Sequence, residues 1–365
     1  MRNRPARVLF LVLFSLLLAI GIAEVCSRLL LPETYLLDWH SDEFNKAKLL
    51  VEIQNRKKKD SSVQDNRIKN TVYDANLGWR MKPSFRFEGV IHNSKGFRGS
   101  QEYNEQPEGI RIFTIGDSYT YGLGVYDEYT FASHLDEMAG VEVINAGVNG
   151  YGIDQAYLMW ELEGKKLNPS VVLLGYFVDD FYRNALSVSG KPKPHFIKDE
   201  DSGEFKINWV PVPTVESLVK EGELESDGSL RIVQALKWVK RSIIEKYHLQ
   251  DNVGYDDYKG LVERAQLSEY ILTQLNESVE ESGASLIVVI IGIVDTCYQG
   301  QPEYLWIENS IVEACRANGI EYINLAELMR QERYFPSFYA RHCHFTESGH
   351  RFAAEKIADV LGLKQ

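Results

Sequence analysis

Residues 110–122 read Ile-Arg-Ile-Phe-Thr-Ile-Gly-Asp-Ser-Tyr-Thr-Tyr-Gly, a short apolar run that ends in glycine and is followed by polar side chains. A run of this length, rich in β-branched residues, is typical of a buried strand in a parallel sheet. The glycine and the Asp117-Ser118 pair mark the turn that follows. We therefore expect the strand to carry a serine hydroxyl to the carboxyl edge of a sheet, where open α/β sheets bind their ligands.

Four further apolar runs of this kind follow along the chain, and patterns with helical periodicity separate them. Strands that alternate with helices imply right-handed crossovers and a parallel sheet with helices on both faces, so the sequence predicts an α/β fold. The predicted strands are Ile110–Ile115, Val141–Asn145, Val171–Phe177, Leu286–Ile293 and Glu321–Asn324, and the predicted helices are Glu128–Ala139, Ile153–Glu163, Leu261–Ser282, Tyr304–Asn318 and Glu347–Leu361.

The first thirty residues are predicted to lie outside the globular fold. Three arginines within the first seven residues precede an uncharged apolar run, Val8–Ala23, and the helical pattern continues to Leu31 before Pro32 ends it. This pattern predicts a signal-anchor helix over residues 1–31 whose basic end stays in the cytoplasm. The alternative is a cleaved signal peptide with its cleavage site at residues 21–23. Both interpretations place the rest of the chain outside the cytoplasmic membrane.

The pattern divides the rest of the chain into two parts. A polar stretch at residues 32–69 is predicted to be a stalk, and residues 70–365 are predicted to form one domain. Within that domain, residues 185–260 interrupt the alternation of strands and helices. An insertion of this kind is often a lid or a substrate wall. The alternative is a surface excursion that packs on the domain.

Composition and charge narrow the class of protein. Of the 365 residues, 44% are apolar and 25% are charged, as in ordinary globular proteins. The formal charge of −12 opposes binding to a phosphate backbone, so no nucleic acid partner is expected. The four cysteines, at positions 26, 297, 315 and 343, are too few and too scattered for a disulfide scaffold or a zinc site.

Three further polar or glycine-rich blocks stand where later elements of the predicted sheet end. The block at residues 145–152 follows the second strand, and its glycines let backbone N–H groups approach a ligand closely. Asp179 and Asp180 come just after the third strand, and a histidine-rich block at residues 342–350 leads into the last helix. The residues just after each strand are expected to form one site, because the carboxyl ends of parallel strands share an edge.

This order of blocks resembles that of the SGNH, or GDSL-type, serine hydrolases, and the resemblance covers roughly residues 72–362. It is closest to the membrane-anchored bacterial members, in which a stretch like Leu77-Gly78-Trp79, followed by one like Asn93-Ser94-Lys95-Gly96-Phe97-Arg98, precedes the Gly-Asp-Ser block. The resemblance implies a three-layer α/β/α, flavodoxin-like SGNH hydrolase fold whose five-stranded parallel sheet has the order 2-1-3-4-5.

The resemblance also implies roles for individual residues. Ser118 corresponds to the nucleophile and His344 to the base that activates it, since a serine hydroxyl is a poor nucleophile at neutral pH. The backbone N–H groups of Ser118 and Gly150 correspond to oxyanion donors. The third donor of the oxyanion hole, an asparagine in the family, corresponds to Asp179, which donates only if burial keeps it protonated. The alternative is that the nearby Asn184 takes this place.

The acid that orients the family's histidine corresponds here to Arg341. A positive charge at this position opposes an imidazolium, so His344 is expected to act with Ser118 as a dyad or to be oriented by another acid. The candidate acids by position are Asp295, just after the fourth strand, and Glu347.

The histidines and cysteines near the chain end leave alternatives open. His342 or His350 is the alternative to His344 as the base. No second cluster of Asp, Glu or His accompanies these three histidines, so neither a metal nor a cofactor is expected. Cys297 and Cys343 are predicted in strand-end loops, where they either pair as a disulfide or remain buried thiols.

The expected function is that of a membrane-tethered serine esterase or acyl hydrolase. It is expected at the bacterial inner membrane as a single-pass protein, with its catalytic domain on the periplasmic or extracellular side. The expected substrates are acetyl esters of glycans and then lipid or other acyl esters, with transfer to an acceptor when a partner membrane acyltransferase takes part. The alternative, favoured by Asp179 and Arg341, is a catalytically impaired SGNH-like domain that binds or scaffolds glycan in polysaccharide modification or export.

Overall fold

The structure is a computed structural model that describes most of the chain in two compact units. The described residues are 14–15, 18–26, 41–58, 70–138, 141–199, 201–222, 224, 255–292, 302–333, 335–341 and 343–363.

The helices and strands of the described residues are numbered in chain order. The helices are α1 (residues 18–26), α2 (Asp42–Lys58), α3 (Ser118–Tyr121), α4 (Phe131–Asp136), α5 (Ile153–Leu162), α6 (Asp180–Arg183), α7 (Val215–Glu221), α8 (Tyr255–Glu281), α9 (Pro302–Ala317), α10 (Leu325–Gln331) and α11 (Glu347–Leu361). The strands are β1 (Thr71–Asp74), β2 (Gly78–Met81), β3 (Arg86–Phe87), β4 (Val90–Ile91), β5 (Ile110–Gly116), β6 (Val141–Asn145), β7 (Val171–Phe177), β8 (His195–Lys198), β9 (Phe205–Asn208), β10 (Ser285–Ile291) and β11 (Glu321–Asn324). Short 3₁₀ turns occupy Asp127–Tyr129, Gly164–Leu167 and Phe335–Phe338.

The first compact unit comprises residues 1–64 and 215–259. Its described part consists of α1, α2, α7 and the start of α8. Among the described helices, none has the length and apolar character that crossing a bilayer requires. The predicted anchor over residues 1–31 lies largely outside the described residues, and so do residues 225–254 of the predicted insertion.

The second unit comprises residues 65–214 and 260–365, and it contains the five-stranded parallel sheet. The strands are hydrogen-bonded in the order β6-β5-β7-β10-β11, which is 2-1-3-4-5 when these five strands are numbered along the chain. All five predicted strands are present. The first extends one residue further than predicted, to Gly116, and the fourth covers Ser285–Ile291 where Leu286–Ile293 was predicted. The chain places β6 on one side of β5 and then β7, β10 and β11 on the other side. Ligands of such sheets bind at the carboxyl ends of the strands where this change of side occurs, which here are those of β5 and its neighbours.

Helices cover both faces of this sheet. On one face, the ring of Trp160 in α5 lies against Phe113 of β5 with 6.2 Å between centroids, and its Nε1 donates to Ser278 Oγ of α8 at 2.8 Å. The hydroxyl of Tyr176 in β7 donates to Ser268 Oγ of α8 at 2.9 Å. Each of these buried polar side chains thus has a partner, which avoids the cost of an unpaired buried donor.

The opposite face is covered by α4, α10 and α11. Phe131, Leu325 and Ile357 of these helices line a small apolar cavity together with Leu173 and Val289 of the sheet. Because Leu173 and Tyr176 are an odd number of residues apart on β7, their side chains point to opposite faces. The three layers of helix, sheet and helix that the sequence predicts are therefore present.

The helix predicted at Glu128–Ala139 is shorter in the structure. A 3₁₀ turn occupies Asp127–Tyr129, and Thr130 then caps α4 by accepting a hydrogen bond from the Ser133 N–H at 3.1 Å. An N-cap threonine has extended backbone angles, so it interrupts the helical run that the apolar spacing predicts.

A buried ion pair fixes the start of the predicted insertion. The Lys193 ammonium is fully buried and donates to the Asp154 carboxylate at the start of α5. It also donates to the carbonyl oxygens of Arg183 at 3.2 Å and Leu186 at 3.1 Å. The segment between α6 and β8 is thereby attached to α5.

Candidate active site

Ser118 is the first residue of α3 and comes directly after strand β5 and Asp117. Asp117 caps this short helix, since its Oδ1 accepts from the Tyr119 N–H at 2.8 Å. Gly122 closes the other end in the left-handed region at φ +84°, where its N–H donates to the Ser118 carbonyl at 3.0 Å. A helix capped at both ends within one turn holds the serine at the carboxyl edge of the sheet.

Two buried side chains hold the carbonyl groups at the end of this turn. Arg98 donates to the carbonyl oxygens of Tyr121 at 2.8 Å and Gly122 at 2.5 Å. Asn145, the last residue of β6, donates from Nδ2 to the Thr120 carbonyl at 3.1 Å. A helix end buried without such partners would be costly, so these bonds make the serine turn rigid.

The structure brings His344 to Ser118. The imidazole Nε2 lies 2.9 Å from Ser118 Oγ, within hydrogen-bond distance. The ring of Tyr119 is stacked on the imidazole, with 5.1 Å between centroids and 30° between planes. The Ala340 N–H donates to the His344 carbonyl at 2.8 Å and closes the loop that carries the histidine. A nucleophile and base at this distance can exchange a proton.

The backbone N–H groups of Ser118 and Gly150 have no acceptor within the described part of the chain. Gly150 has φ +81°, a left-handed conformation that favours glycine. Its loop lies directly against α3, because a Cβ on Gly147 would be 2.3 Å from a backbone nitrogen of that helix. Trp79 also binds this loop, because its Nε1 donates to the Asn149 carbonyl at 3.0 Å. These are the two N–H groups that the sequence predicts as oxyanion donors.

Asp179 follows β7, and both of its carboxylate oxygens accept hydrogen bonds. Oδ2 accepts from Arg183 Nη2 at 3.1 Å, and Oδ1 accepts from the Tyr304 hydroxyl at 3.4 Å. In this arrangement the carboxylate is an acceptor, so donation to an oxyanion requires that it first take up a proton. The oxyanion role of Asp179 stays a prediction.

Arg183 links three carboxyl groups beside the serine. Its Nη1 donates to Asp117 Oδ2 at 3.0 Å and to Asp180 Oδ1 at 2.6 Å, while Nη2 binds Asp179. Asp117 Oδ2 in turn lies 3.3 Å from Ser118 Oγ. Burial raises the pKa of the Asp180 carboxyl well above its ordinary value, and the nearby charge of Asp117 adds to this effect. One guanidinium therefore balances the charges of this cluster, and burial favours the protonated form of Asp180.

Sequence reasoning missed Arg183 and Tyr119. A signal for Arg183 was present, since it follows Asp179 and Asp180 by four and three residues, the spacing that brings side chains together on a helix. The stack of Tyr119 on His344 had no such signal, because the two residues are 225 positions apart.

The structure describes one of the two candidate orienting acids, Glu347. Asp295 lies outside the described residues. Glu347 is exposed in the first turn of α11 and makes no hydrogen bond or ion pair within the described part of the chain. Its role as the acid that orients His344 stays a prediction. Arg341 is exposed as well.

The alternative residues for the site are placed elsewhere. Asn184 is buried, and its Oδ1 accepts from the Ile153 N–H at 2.9 Å. His350 is buried in α11, where its Nδ1 accepts from the Phe131 N–H at 3.3 Å. Burial lowers the pKa of His350 to about 3. His342 lies outside the described residues. Of the histidines that the structure describes in this block, His344 is the one in contact with Ser118.

The structure describes three of the four cysteines and part of the histidine-rich block. Cys343 forms a disulfide bond, and Cys297, the partner that the sequence proposes, lies outside the described residues. Cys315 is a free thiol in the core, and burial raises its pKa to about 12. Within the described residues, no three His, Cys, Asp or Glu side chains are grouped so that they could hold a metal ion.

Similarity to known proteins is confined to solved structures. No family model matches the sequence, and no curated protein matches it either. The solved structures that superpose on part of the chain include the following three. The acetylxylan esterase Axe2 from Geobacillus stearothermophilus is 13% identical, with a TM-score of 0.40, and the match covers 71% of this chain and 97% of that one. TesA is 12% identical with a TM-score of 0.40, covering 69% and 97%. A lipolytic protein of the G-D-S-L family from Desulfitobacterium hafniense is 12% identical with a TM-score of 0.39, covering 69% and 99%. Identities and superpositions this low do not assign a family or an activity to this chain.

Proposed function

We propose that this protein is a membrane-tethered serine esterase of the SGNH type, which removes or transfers acyl groups outside the cytoplasmic membrane. The observation that carries the proposal is the 2.9 Å distance between Ser118 Oγ and His344 Nε2. The contact lies at the carboxyl edge of the sheet, where the Ser118 and Gly150 N–H groups have no acceptor within the described residues. Nucleophile, base and oxyanion donors are the parts that acyl transfer needs.

The chemistry follows from these positions. As Ser118 Oγ attacks the ester carbonyl, its proton passes to His344 Nε2, and the negative charge that develops on the carbonyl oxygen is met by the Ser118 and Gly150 N–H groups. The imidazolium then gives its proton to the departing alcohol, which leaves an acyl group on the serine. A water molecule or an acceptor hydroxyl attacks this acyl-enzyme and gives its proton to His344. The bond between the acyl group and Ser118 Oγ then breaks, the acid or the new ester leaves, and His344 returns the proton to Ser118 Oγ.

Arg183 supports this direction of proton transfer. The Ser118 hydroxyl has two acceptors within reach, His344 Nε2 at 2.9 Å and Asp117 Oδ2 at 3.3 Å. The guanidinium of Arg183 binds that same Asp117 oxygen at 3.0 Å and so weakens it as an acceptor. The hydroxyl is therefore left to the imidazole. Asp179 would add a third oxyanion donor only in its protonated form.

The location and substrate are part of the same proposal. The arginines and the apolar run of residues 1–31 support a single-pass tether in the inner membrane with the catalytic unit on its outer side. Acetyl esters of glycans, which are met in that compartment, are the proposed substrates, followed by lipid esters. Transfer to an acceptor sugar would engage a partner membrane acyltransferase, and this step rests on analogy.

The test is labelling and turnover by the full-length chain in detergent. We expect a fluorophosphonate probe to label the wild-type protein and p-nitrophenyl acetate to be hydrolysed. The Ser118→Ala variant is expected to lose the label and at least about 10³-fold in rate, since the nucleophile is removed. Ser285→Ala, which changes an exposed serine at the start of β10, is the matched control and is expected to keep both.

Two other outcomes have distinct meanings. Labelling without hydrolysis would favour transfer of the acyl group to an acceptor. If the wild-type protein neither reacts nor turns over substrate but binds acetylated glycan in calorimetry, the impaired glycan-binding domain replaces the esterase as the proposed function. The observation that favours this second candidate is the Asp179 carboxylate, which accepts hydrogen bonds where the family has a donor.

A further inference from the structure

Tyr119 contacts both the loop and the imidazole of His344. The residue is 4% exposed, and its ring stacks on the imidazole at 5.1 Å between centroids. The same ring lies 4.5 Å from the Phe177 ring, at 33° between planes, and meets Phe345 edge-on at 4.9 Å. The tyrosine is thus held between the end of strand β7 and the residue that follows the histidine.

The Tyr119 hydroxyl makes a second contact with the same loop. It donates to the carbonyl oxygen of Cys343, the residue directly before His344. Cys343 has φ +65°, a left-handed conformation that is uncommon outside glycine and needs support from its surroundings. The hydroxyl therefore holds the backbone of the histidine loop, while the ring holds the imidazole.

The backbone of Tyr119 is fixed to the nucleophile. It is the residue after Ser118 in α3, and its N–H donates to the Asp117 cap at 2.8 Å. A face-to-face contact from this position blocks rotation of the imidazole toward the tyrosine ring and leaves Nε2 directed at Ser118 Oγ. The electron-rich face of the ring also favours the positive charge that the imidazole gains during acyl transfer.

We propose that Tyr119 is a positioning residue that holds the His344 imidazole against Ser118, through its ring and through its hydroxyl bond to the Cys343 carbonyl. This inference rests on the proposed function and deepens it. Where the SGNH resemblance places an orienting acid, this chain has the exposed Arg341, and part of the orienting task lies with an aromatic ring.

The kinetic test separates the ring from the hydroxyl. Tyr119→Phe keeps the stack and removes the bond to Cys343, whereas Tyr119→Leu and Tyr119→Met remove both. We expect kcat for p-nitrophenyl acetate to fall about 100-fold in the Leu and Met variants, as misplaced catalytic groups do, while KM changes less than about threefold. The kcat of the Phe variant is expected to stay within about fivefold of the wild-type value, since this variant keeps the stacked ring.

A remote tyrosine provides the matched control. Tyr270 in α8 also packs its ring against two aromatic rings, those of Phe196 and Phe205, and donates its hydroxyl to a carbonyl oxygen, at 3.3 Å. Tyr270→Leu is expected to lower the melting temperature without the 100-fold loss in kcat. The proposal is overturned if folded Tyr119→Leu and Tyr119→Met keep a third of the wild-type kcat, or if Tyr270→Leu loses as much as they do.

A second measurement decides the proposal without turnover. In spectra of histidine-labelled protein, His344→Gln identifies the ring resonances of His344, which the stacked Tyr119 ring shifts upfield. We expect Tyr119→Phe to keep this shift and the Leu and Met variants to lose it and broaden. Unchanged His344 resonances in Tyr119→Leu would overturn the positioning role. A wild-type protein with the shift but no labelling or turnover would overturn the esterase proposal alone.

Discussion

The guanidinium of Arg183 pairs with three neighbouring carboxyl groups and offsets their negative charge. Asp117 is within reach of the serine hydroxyl, and its ion pair with Arg183 makes it a poor competitor for that hydrogen. Asp180 is fully buried beside it, and burial together with the charge of Asp117 raises its pKa. Asp179 is partly exposed and takes the second guanidinium nitrogen. The chain thus places negative charge beside Ser118 and balances it with one cation.

The variant Asp179→Asn tests whether the negative charge of this carboxylate slows the reaction. The Asp179 carboxylate pairs with Arg183, which also pairs with Asp117, the residue before Ser118. A negative charge near a developing oxyanion raises the barrier to acyl transfer. Replacing it with an amide removes that charge and supplies a donor. We expect kcat/KM for p-nitrophenyl acetate to rise by up to about tenfold, which corresponds to about 1.4 kcal/mol.

The control for this variant is Asp199→Asn. Asp199 also pairs with a cation, Lys206, but in the turn of the β8–β9 hairpin, and we expect its replacement to leave kcat/KM unchanged. A fall in kcat/KM for a folded Asp179→Asn would contradict the prediction and show that the carboxyl itself is needed at the site.

The sequence allowed the prediction of Ser118 and His344 but not of their supporting residues. Ser118 follows a strand whose end the apolar run marks, so the edge of the sheet on which it lies could be predicted. The resemblance places the histidine. Arg183 and Tyr119 act through side-chain directions that depend on how α6 and the 340–346 loop pack against α3, and a single sequence does not contain those directions.

At the scale of elements, the strands were predicted best because each is a short apolar run with one clear end. The last helix was also predicted to the residue, since Thr346 caps it by accepting from the Gly349 N–H at 3.3 Å. The first predicted helix was too long, because Thr130 acts as a cap in the middle of the apolar pattern. Capping residues therefore decide boundaries that periodicity alone leaves open.

The buried pair of Lys193 and Asp154 gives a prediction for the attachment of the insertion. Lys193→Met removes the cation from a buried carboxyl and three hydrogen bonds from the segment before β8. We expect urea unfolding to show a loss of about 3–5 kcal/mol, because an uncompensated buried charge is left behind. The double variant Lys193→Met with Asp154→Leu removes both charges and is expected to recover most of this loss.

An exposed pair is the control for this comparison. Lys206→Met breaks the ion pair of Lys206 with Asp199 on the surface, and we expect its unfolding curve to overlie that of the wild type. If the double variant is as unstable as the sum of Lys193→Met and Asp154→Leu, the two changes do not interact, and the prediction that each charge compensates the other is wrong.

At the scale of the whole molecule, the core between the helical layers and the sheet is mainly apolar but also buries polar side chains. His350 is one of them, a fully buried imidazole that lies between Phe131 of α4 and Phe345 of the His344 loop. The same core that supports the candidate site therefore contains a base that must stay neutral. This ties the stability of the second unit to pH.

The free energy of unfolding is expected to fall as the pH drops below about 6.5. Burial lowers the pKa of His350 to about 3, so between about pH 3 and pH 6.5 the unfolded chain binds a proton there that the folded chain does not. Stability from this residue is present above pH 6.5 and is lost progressively below it, by about 2 kcal/mol at pH 5.

Urea unfolding followed by tryptophan fluorescence at pH 7.5, 6.0 and 5.0 measures how the free energy of unfolding changes with pH. His350→Gln, which does not titrate, is expected to flatten it, while Ser348→Ala on the exposed side of the same helix is expected to leave it unchanged. An equal slope in His350→Gln and wild type would mean that other groups govern acid unfolding of this fold.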